Sequence, residues 1–277
     1  MPDDAMLRET TLLALDTAIT EADVYAAIAD VLDPELDEPL VKLGFIDRVQ
    51  VDDQDVTVVF KLPTYWCAPN FAYLMAGDLR NRVRALPGVR SVRVVLLDHC
   101  AEDEITQGVN GDRSFGDVFA DDVVGDEDLE ELRRTFLRKG FLMRQDALLR
   151  QMMRVGLDEA IIIRLRIADV IVDEITDSVF VMTPGGAVRL EKMGHNAAIY
   201  LRRRHYLGLP RGEDDLFITD DKGQPVPSDG LQDFLRRSRS IRLNIMFNTS
   251  LCTSLFRTRY EGADSSEAYR PREGEMI

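Results

Sequence analysis

The stretch from Val56 to Leu97 constrains the fold most, because three segments of different period follow one another with only short breaks: VTVVFKL, NFAYLMAGDLRNRVRAL and SVRVVLL. Alternation with period two predicts a strand with one buried face over Val56 to Leu62. In the middle segment Phe71, Leu74, Met75, Leu79, Val83 and Leu86 recur at helical spacing, and Pro69 stands near the first helical position, where its missing N–H does no harm. Pro87 and Gly88 end that helix, and Ser91 to Leu97 reads as a further strand. Upstream, Phe45 to Val51 pairs with Val56 to Leu62 across the polar turn DDQD, as an antiparallel hairpin. Thr20 and Asp23 cap a first helix carrying Val24, Ile28 and Val31, which ends near Leu32 because Pro34 disfavours helical geometry at Asp33. Helix, strand, strand, helix, strand is a small α+β sandwich over residues 20–100.

At 277 residues there is room for a second unit. Residues 101–127 are acidic and glycine-bearing and read as a linker. Residues 128–262 read as a mostly helical domain with a short β-hairpin. Its expected helices are Leu129 to Leu137 and Phe141 to Val155, separated by Gly140, then Glu191 to Tyr206 and Leu231 to Arg237. The hairpin turns at TPGG between VFVM and AVRL, and AIIIRLRIADVIVDEI suits strand or helix equally. Residues 1–19 and 263–277 read as flexible tails. The basic run LRRRHY, Leu201 to Tyr206, reads as a solvated helix face, and the Met152–Met153 pair as core filler.

A net charge of −15 repels phosphate backbones and anionic lipid, so neither nucleic acid nor membrane is expected as a partner. No apolar run reaches membrane-spanning length and the N-terminus lacks a secretory pattern, which makes a cytoplasmic location the expectation. Neither a P-loop nor a dinucleotide fingerprint occurs. Three cysteines, Cys67, Cys100 and Cys252, make no disulfide scaffold. Cys67 is either a small packed hydrophobe beside Trp66 or a thiol set ahead of a helix whose free N–H groups favour an anion. Asp33 and Glu35 are either turn-capping and solvated groups or ligands. His195, His205 and Cys252 lack metal-site spacing and read as packed or surface residues.

Four elements then occur in fixed order: the acidic loop DPEL (Asp33 to Leu36), Leu43-Gly44-Phe45 entering the first strand, the T-x-x-C loop from Thr64 to Cys67, and LPGVRSVRV before the last strand. Together they resemble the family called domain of unknown function 59, the metal-sulfur cluster assembly factors that include PaaD-like and SufT-like proteins, over about Glu21 to His99. The resemblance implies a role in maturing iron-sulfur or other iron proteins, with Cys67 as the reactive or cluster-contacting residue, Asp33 and Glu35 as its acidic pair and Thr64 as its loop neighbour. The chain departs from the family pattern at Ala68, which separates Cys67 from Pro69, and at LLDHC, which replaces the usual ending of the last strand.

That replacement sets His99 beside Cys100 at a strand end. Thiolate and imidazole suit iron and its clusters, so Cys67, Cys100 and His99 form a candidate ligand set. One chain offers too few certain thiolates for a four-ligand cluster, so a cluster would draw on a homodimer, an external thiol, or oxygen ligands from Asp33 or Glu35. The expectation is a non-enzymatic maturation factor that transiently handles an iron-sulfur cluster or iron, with the appended region recognising a client metalloenzyme such as a diiron monooxygenase hydroxylase subunit. The alternatives are an interaction protein or folding helper without metal, and, last, a cysteine enzyme with His99 as its base.

Overall fold

The computed structural model describes residues 18–120, 129–227 and 230–261. Most of the expected tails, residues 1–17 and 262–277, and the end of the expected linker, residues 121–128, lie outside the described residues.

Helix α1 (Glu21–Ile28) opens on a reciprocal cap: the Asp23 N–H donates to Thr20 Oγ1 while Asp23 accepts from the Thr20 N–H at 2.9 Å. The acidic loop holds elements that the sequence did not suggest. Strands β1 (Leu32–Asp33) and β2 (Glu38–Pro39) pair antiparallel, and the one-turn helix α2 (Leu40–Leu43) ends on Gly44 at φ +76°, the left-handed geometry that favours glycine. The expected hairpin follows as β3 (Ile46–Asp52) and β4 (Asp55–Lys61), then α3 (Pro69–Arg84) with Pro69 at its start, then β5 (Ser91–Leu97). Strand β4 is central, antiparallel to β3 and parallel to β5, so α3 is the crossover of a β-α-β unit. It buries Tyr73, Met75, Leu79 and Val83 in a core with Val24, Ile28, Val58 and Phe60.

The acidic linker is corrected by the structure as far as Ala120. Residues Glu102–Asn110 form α4, which lies along the open edge of β5. Asn110 accepts from the Val94 N–H at 2.9 Å and donates to the Val94 carbonyl at 2.7 Å, and Thr106 accepts from the Leu96 N–H. An unpaired strand edge is thereby covered by helix side chains. The one-turn α5 (Phe115–Val118) brings Phe115 and Phe119 into the same core. The segment's acidity is that of a well-formed helix start, Glu102, Asp103 and Glu104 standing in the first turn of α4.

The second unit starts with α6 (Leu129–Arg154), continuous through Gly140 where two helices were expected. Gly140 is there for packing: a Cβ at that position would lie 2.4 Å from Asp37 Oδ1. The segment that suited strand or helix is both, with α7 (Glu159–Ile162), a 3-10 turn (Ile167–Asp169) and β6 (Val170–Asp173). Strand β6 extends the expected hairpin, β7 (Ser178–Thr183) and β8 (Gly186–Glu191), into a three-stranded antiparallel sheet. Helix α8 (Gly194–Tyr206) follows, and α9 runs from Leu231 to Tyr260, far past the expected end at Arg237. The basic run on α8 is also corrected: Arg203 and Arg204 are 7% and 0% exposed. Arg204 donates to the carbonyls of Pro210 and Phe217 inside the second core, and Arg203 reaches Asp37 of the first unit.

Helix α9 belongs to both cores. Leu231, Phe234 and Leu235 pack with Phe141, Tyr200 and Phe217 of the second, whereas Cys252, Phe256 and Tyr260 pack on the first. Thirty residues at 1.5 Å per residue give roughly the 45 Å needed to span the two. Among the described residues no helix is long and apolar enough to cross a membrane.

Candidate functional site

Cys67 sits in the loop between β4 and α3, half-buried against the first core, one residue before the extended Ala68 that caps α3. Its sulfur lies 3.3 Å from Thr64 Oγ1, so the T-x-x-C spacing becomes a contact. Tyr65 and Trp66 between them meet edge to face with ring centres 4.9 Å apart, and Trp66 is 77% exposed. An exposed tryptophan beside a half-buried thiol makes the loop an outward-facing feature rather than a packed corner.

The loop is held from below by His99. Asp98, at φ +57°, turns the chain sharply at the end of β5, in a conformation aspartate tolerates better than most residues. His99 is thereby buried, with Nε2 2.7 Å from the Cys67 carbonyl oxygen and Nδ1 accepting the Ala101 N–H at 3.1 Å. Since Nδ1 accepts, Nε2 carries the proton and donates to Cys67. Burial, the largest influence, holds the imidazole below its ordinary range and keeps it neutral. Both ring nitrogens are committed to the backbone, so His99 positions the Cys67 loop.

Cys100 is exposed, its N–H donating to the Tyr65 carbonyl at 2.9 Å, and partial burial of its sulfur pushes the thiol pKa up. Among the described residues no group of three or more histidine, cysteine and carboxylate side chains is arranged to hold a metal ion. Of the candidate set, Cys100 Sγ lies 4.0 Å from His99 Nδ1, while His99 Nε2 faces the Cys67 carbonyl and not its sulfur.

The acidic loop approaches from the other side. Asp33 is 8% exposed, and its Oδ1 accepts the N–H groups of Glu35 and Leu36 at 2.9 and 3.0 Å, the turn-capping role. Burial outweighs those two bonds and lifts its pKa from 3.8 to about 6. The folded chain therefore holds this proton more tightly than the unfolded one. The resulting stability is fully present below pH 3.8 and is lost as pH rises through about 6. Asp33→Asn keeps an oxygen at the same place and removes the titration. Between pH 6 and 4 the parent should gain about 2 kcal/mol of unfolding free energy relative to that variant, measured as urea midpoints at several pH values. Parallel curves for the two proteins would exclude this account.

Glu35 accepts from Asn248 Nδ2 of α9 at 3.2 Å. One turn further along the same helix stands Cys252, one more turn on Phe256 stacks against Phe45 with ring centres 5.0 Å apart, and Arg259 donates to the Asp98 carbonyl. Cys252 therefore faces the space between the acidic loop and the Cys67 loop. Burial, together with the fields of Asp33, Cys67 and Glu35, pushes its thiol up to about 11. This residue read from the sequence as merely packed; no local spacing marks it, because its neighbours are supplied by the fold.

The domain that carries this site matches the family model described as iron-sulfur cluster assembly protein, over residues 21–95. The chain is also 36% identical over 91 residues to an uncharacterized protein of Methanocaldococcus jannaschii, an alignment covering 32% of this chain and 93% of that protein. The family match spans the acidic loop, the Cys67 loop and nearly all of the three-stranded sheet, and leaves out α6 to α9. Through this N-terminal domain, the chain belongs to the iron-sulfur cluster assembly protein family.

Proposed function

We propose that the protein is a maturation factor that uses Cys67 to take up an iron-sulfur cluster or iron as transient cargo and hand it to a client metalloenzyme. The observation that carries this reading is the position of Cys67: inside the family-matched region, on a loop whose backbone is held by His99 and whose sulfur is met by Thr64. A soft thiolate with carboxylate oxygens near it suits iron and its clusters. A single chain supplies fewer donors than a cluster needs, which is consistent with cargo held briefly, shared with a second copy, or completed by an external thiol. Turnover chemistry is not part of the proposal, since nucleophilic catalysis needs a base beside the thiol and the nearest histidine has both nitrogens engaged.

The unit beyond α5 is assigned to client recognition. On α9, Leu243, Phe247, Leu251 and Leu255 form an exposed row at four-residue spacing, beside the row that carries Asn248, Cys252 and Phe256 and about 100° round the helix from it. A diiron monooxygenase hydroxylase subunit is the client we put forward, following the family resemblance.

The test is anaerobic reconstitution with ferrous iron and sulfide, followed by absorbance and Mössbauer spectra, with Cys67→Ser alongside. Cluster signals in the parent that fall at least tenfold in the variant are expected; equal signals would remove Cys67 from the mechanism. A second reading, an interaction protein or folding helper without metal, is favoured by the lack of a preformed ligand group among the described residues. Coexpression with a diiron hydroxylase separates the two: Cys67→Ala that still yields a soluble, iron-loaded client would support the helper.

A further inference from the structure

We infer that the cleft between α3, α6 and α8 is a binding site for a small organic anion, a carboxylate or phosphate monoester with an apolar body. The cleft has a volume of about 390 Å³, within the range of small-molecule sites. It lies on the seam between the two units, away from Cys67, with Pro34 of the acidic loop on one wall and Phe136 and Leu137 of α6 on another.

Its charge balance is unusual for a chain of net charge −15. Four carboxylates line it, and each is already taken. Asp30 faces Arg202 at 3.7 Å, Asp37 is held by Arg144 and Arg203, Asp78 accepts from Arg133 at 2.6 Å, and Glu130 lies 3.5 Å from the same arginine. Two lining guanidiniums remain. Arg82 meets only the Tyr206 hydroxyl, at a long 3.4 Å, and Arg134 has no hydrogen-bond or ion-pair partner among the described residues. Some arginines elsewhere are matched by acids, as Arg80 is by Asp112 and Arg90 by Asp55; what sets Arg82 and Arg134 apart is that both line one cleft. Two unmatched guanidiniums and a hydroxyl opening on one cleft are a donor set for an oxyanion. The adjoining Phe136, Leu137 and Pro34 supply apolar surface that bare phosphate does not use.

An occupant would touch α3 of the first unit and α6 and α8 of the second, so binding adds to the adhesion of the seam and raises the unfolding temperature by mass action. The site uses no thiol and no cluster, and its fate is independent of the reading given to Cys67.

The test uses the full chain at low ionic strength, with phenyl phosphate, benzoate and inorganic phosphate as probes, followed by calorimetric titration and thermal unfolding. We expect saturable binding of phenyl phosphate or benzoate, whichever head group the site prefers, tighter than that of inorganic phosphate. In Arg134→Gln binding should weaken tenfold or more, by about the strength of one charge-assisted hydrogen bond, and the rise in unfolding temperature should vanish. Because Arg134 makes no contact that the fold depends on, this variant should fold as the parent does; Arg82→Gln provides a second reading, and Arg93→Gln, on the exposed side of β5, a charge-matched control. No saturable binding of either organic probe, parent-like affinity in both site variants, or an equal loss in the control would each overturn the proposal.

Discussion

Replacing Asp37 by alanine should lower the unfolding free energy by about 3–5 kcal/mol, the usual consequence of removing one partner from a buried ion pair. Asp37 is 2% exposed and lies between the two units. Its Oδ2 accepts from Arg144 Nε of α6 at 2.8 Å, its Oδ1 accepts from Arg203 of α8, and its own carbonyl accepts from Arg144 at 2.5 Å. Removing the carboxylate leaves two guanidiniums, 9% and 7% exposed, with their main counter-charge gone. The geometry is tight on every side, since Asp37 adopts φ +54° and only glycine fits at position 140 beneath it. Asp53→Ala is the fair comparison: Asp53 has a similar backbone angle, φ +57°, and an exposed, solvent-screened pairing to Arg90 at 3.4 Å, so its loss should cost far less. Urea midpoints that shift equally for the two variants would show that the seam does not depend on Asp37.

Phe256→Ala should lower stability by about 3 kcal/mol or more and expose Cys252 to reagent. Phe256 is 8% exposed, with its ring centre 5.0 Å from that of Phe45 and 4.8 Å from that of Tyr260, and it lies over Gly44. It is the buried member of the apolar set, with Cys252 and Tyr260, that fastens the last turns of α9 to the first unit. With it gone, Cys252 leaves the buried, acidic surroundings that raise its pKa from 9.0 to about 11. Return to the ordinary value multiplies the thiolate fraction at neutral pH roughly a hundredfold, and iodoacetamide labelling should accelerate toward that limit. Cys100, exposed already and on the other side of the loop, should react at its parental rate. A destabilised variant whose Cys252 is labelled no faster would mean that other contacts keep α9 in place.

The first unit was readable because its signals are local. The Thr20–Asp23 cap, Pro69 at a helix start and the seven-residue alternation of β5 depend on neighbours within a turn or a strand. What escaped notice depends on partners far along the chain. Glycine-bearing acidic sequence from Ala101 onward resembles a linker until Asn110 and Thr106 are seen bonded to β5. Gly140 looks like a helix break until Asp37 fills the space where its side chain would be. Three successive arginines look solvated until one reaches Asp37 and another a pair of buried carbonyls. At the site, Cys67 and Thr64 were legible from a spacing of three. The clamp by His99 and the approach of Cys252 were not, because both are set by how the sheet ends and where α9 returns.

The return of α9 also orders events in time. Everything that shapes the Cys67 loop, from α1 to His99, is made before α9, and Asn248, which meets Glu35, follows His99 by 149 residues. At about 5–20 residues per second the nascent loop stands without its covering helix for roughly 7–30 s. The thiol is thus most accessible while its own chain is still being synthesised, before the residues of α9 have been made.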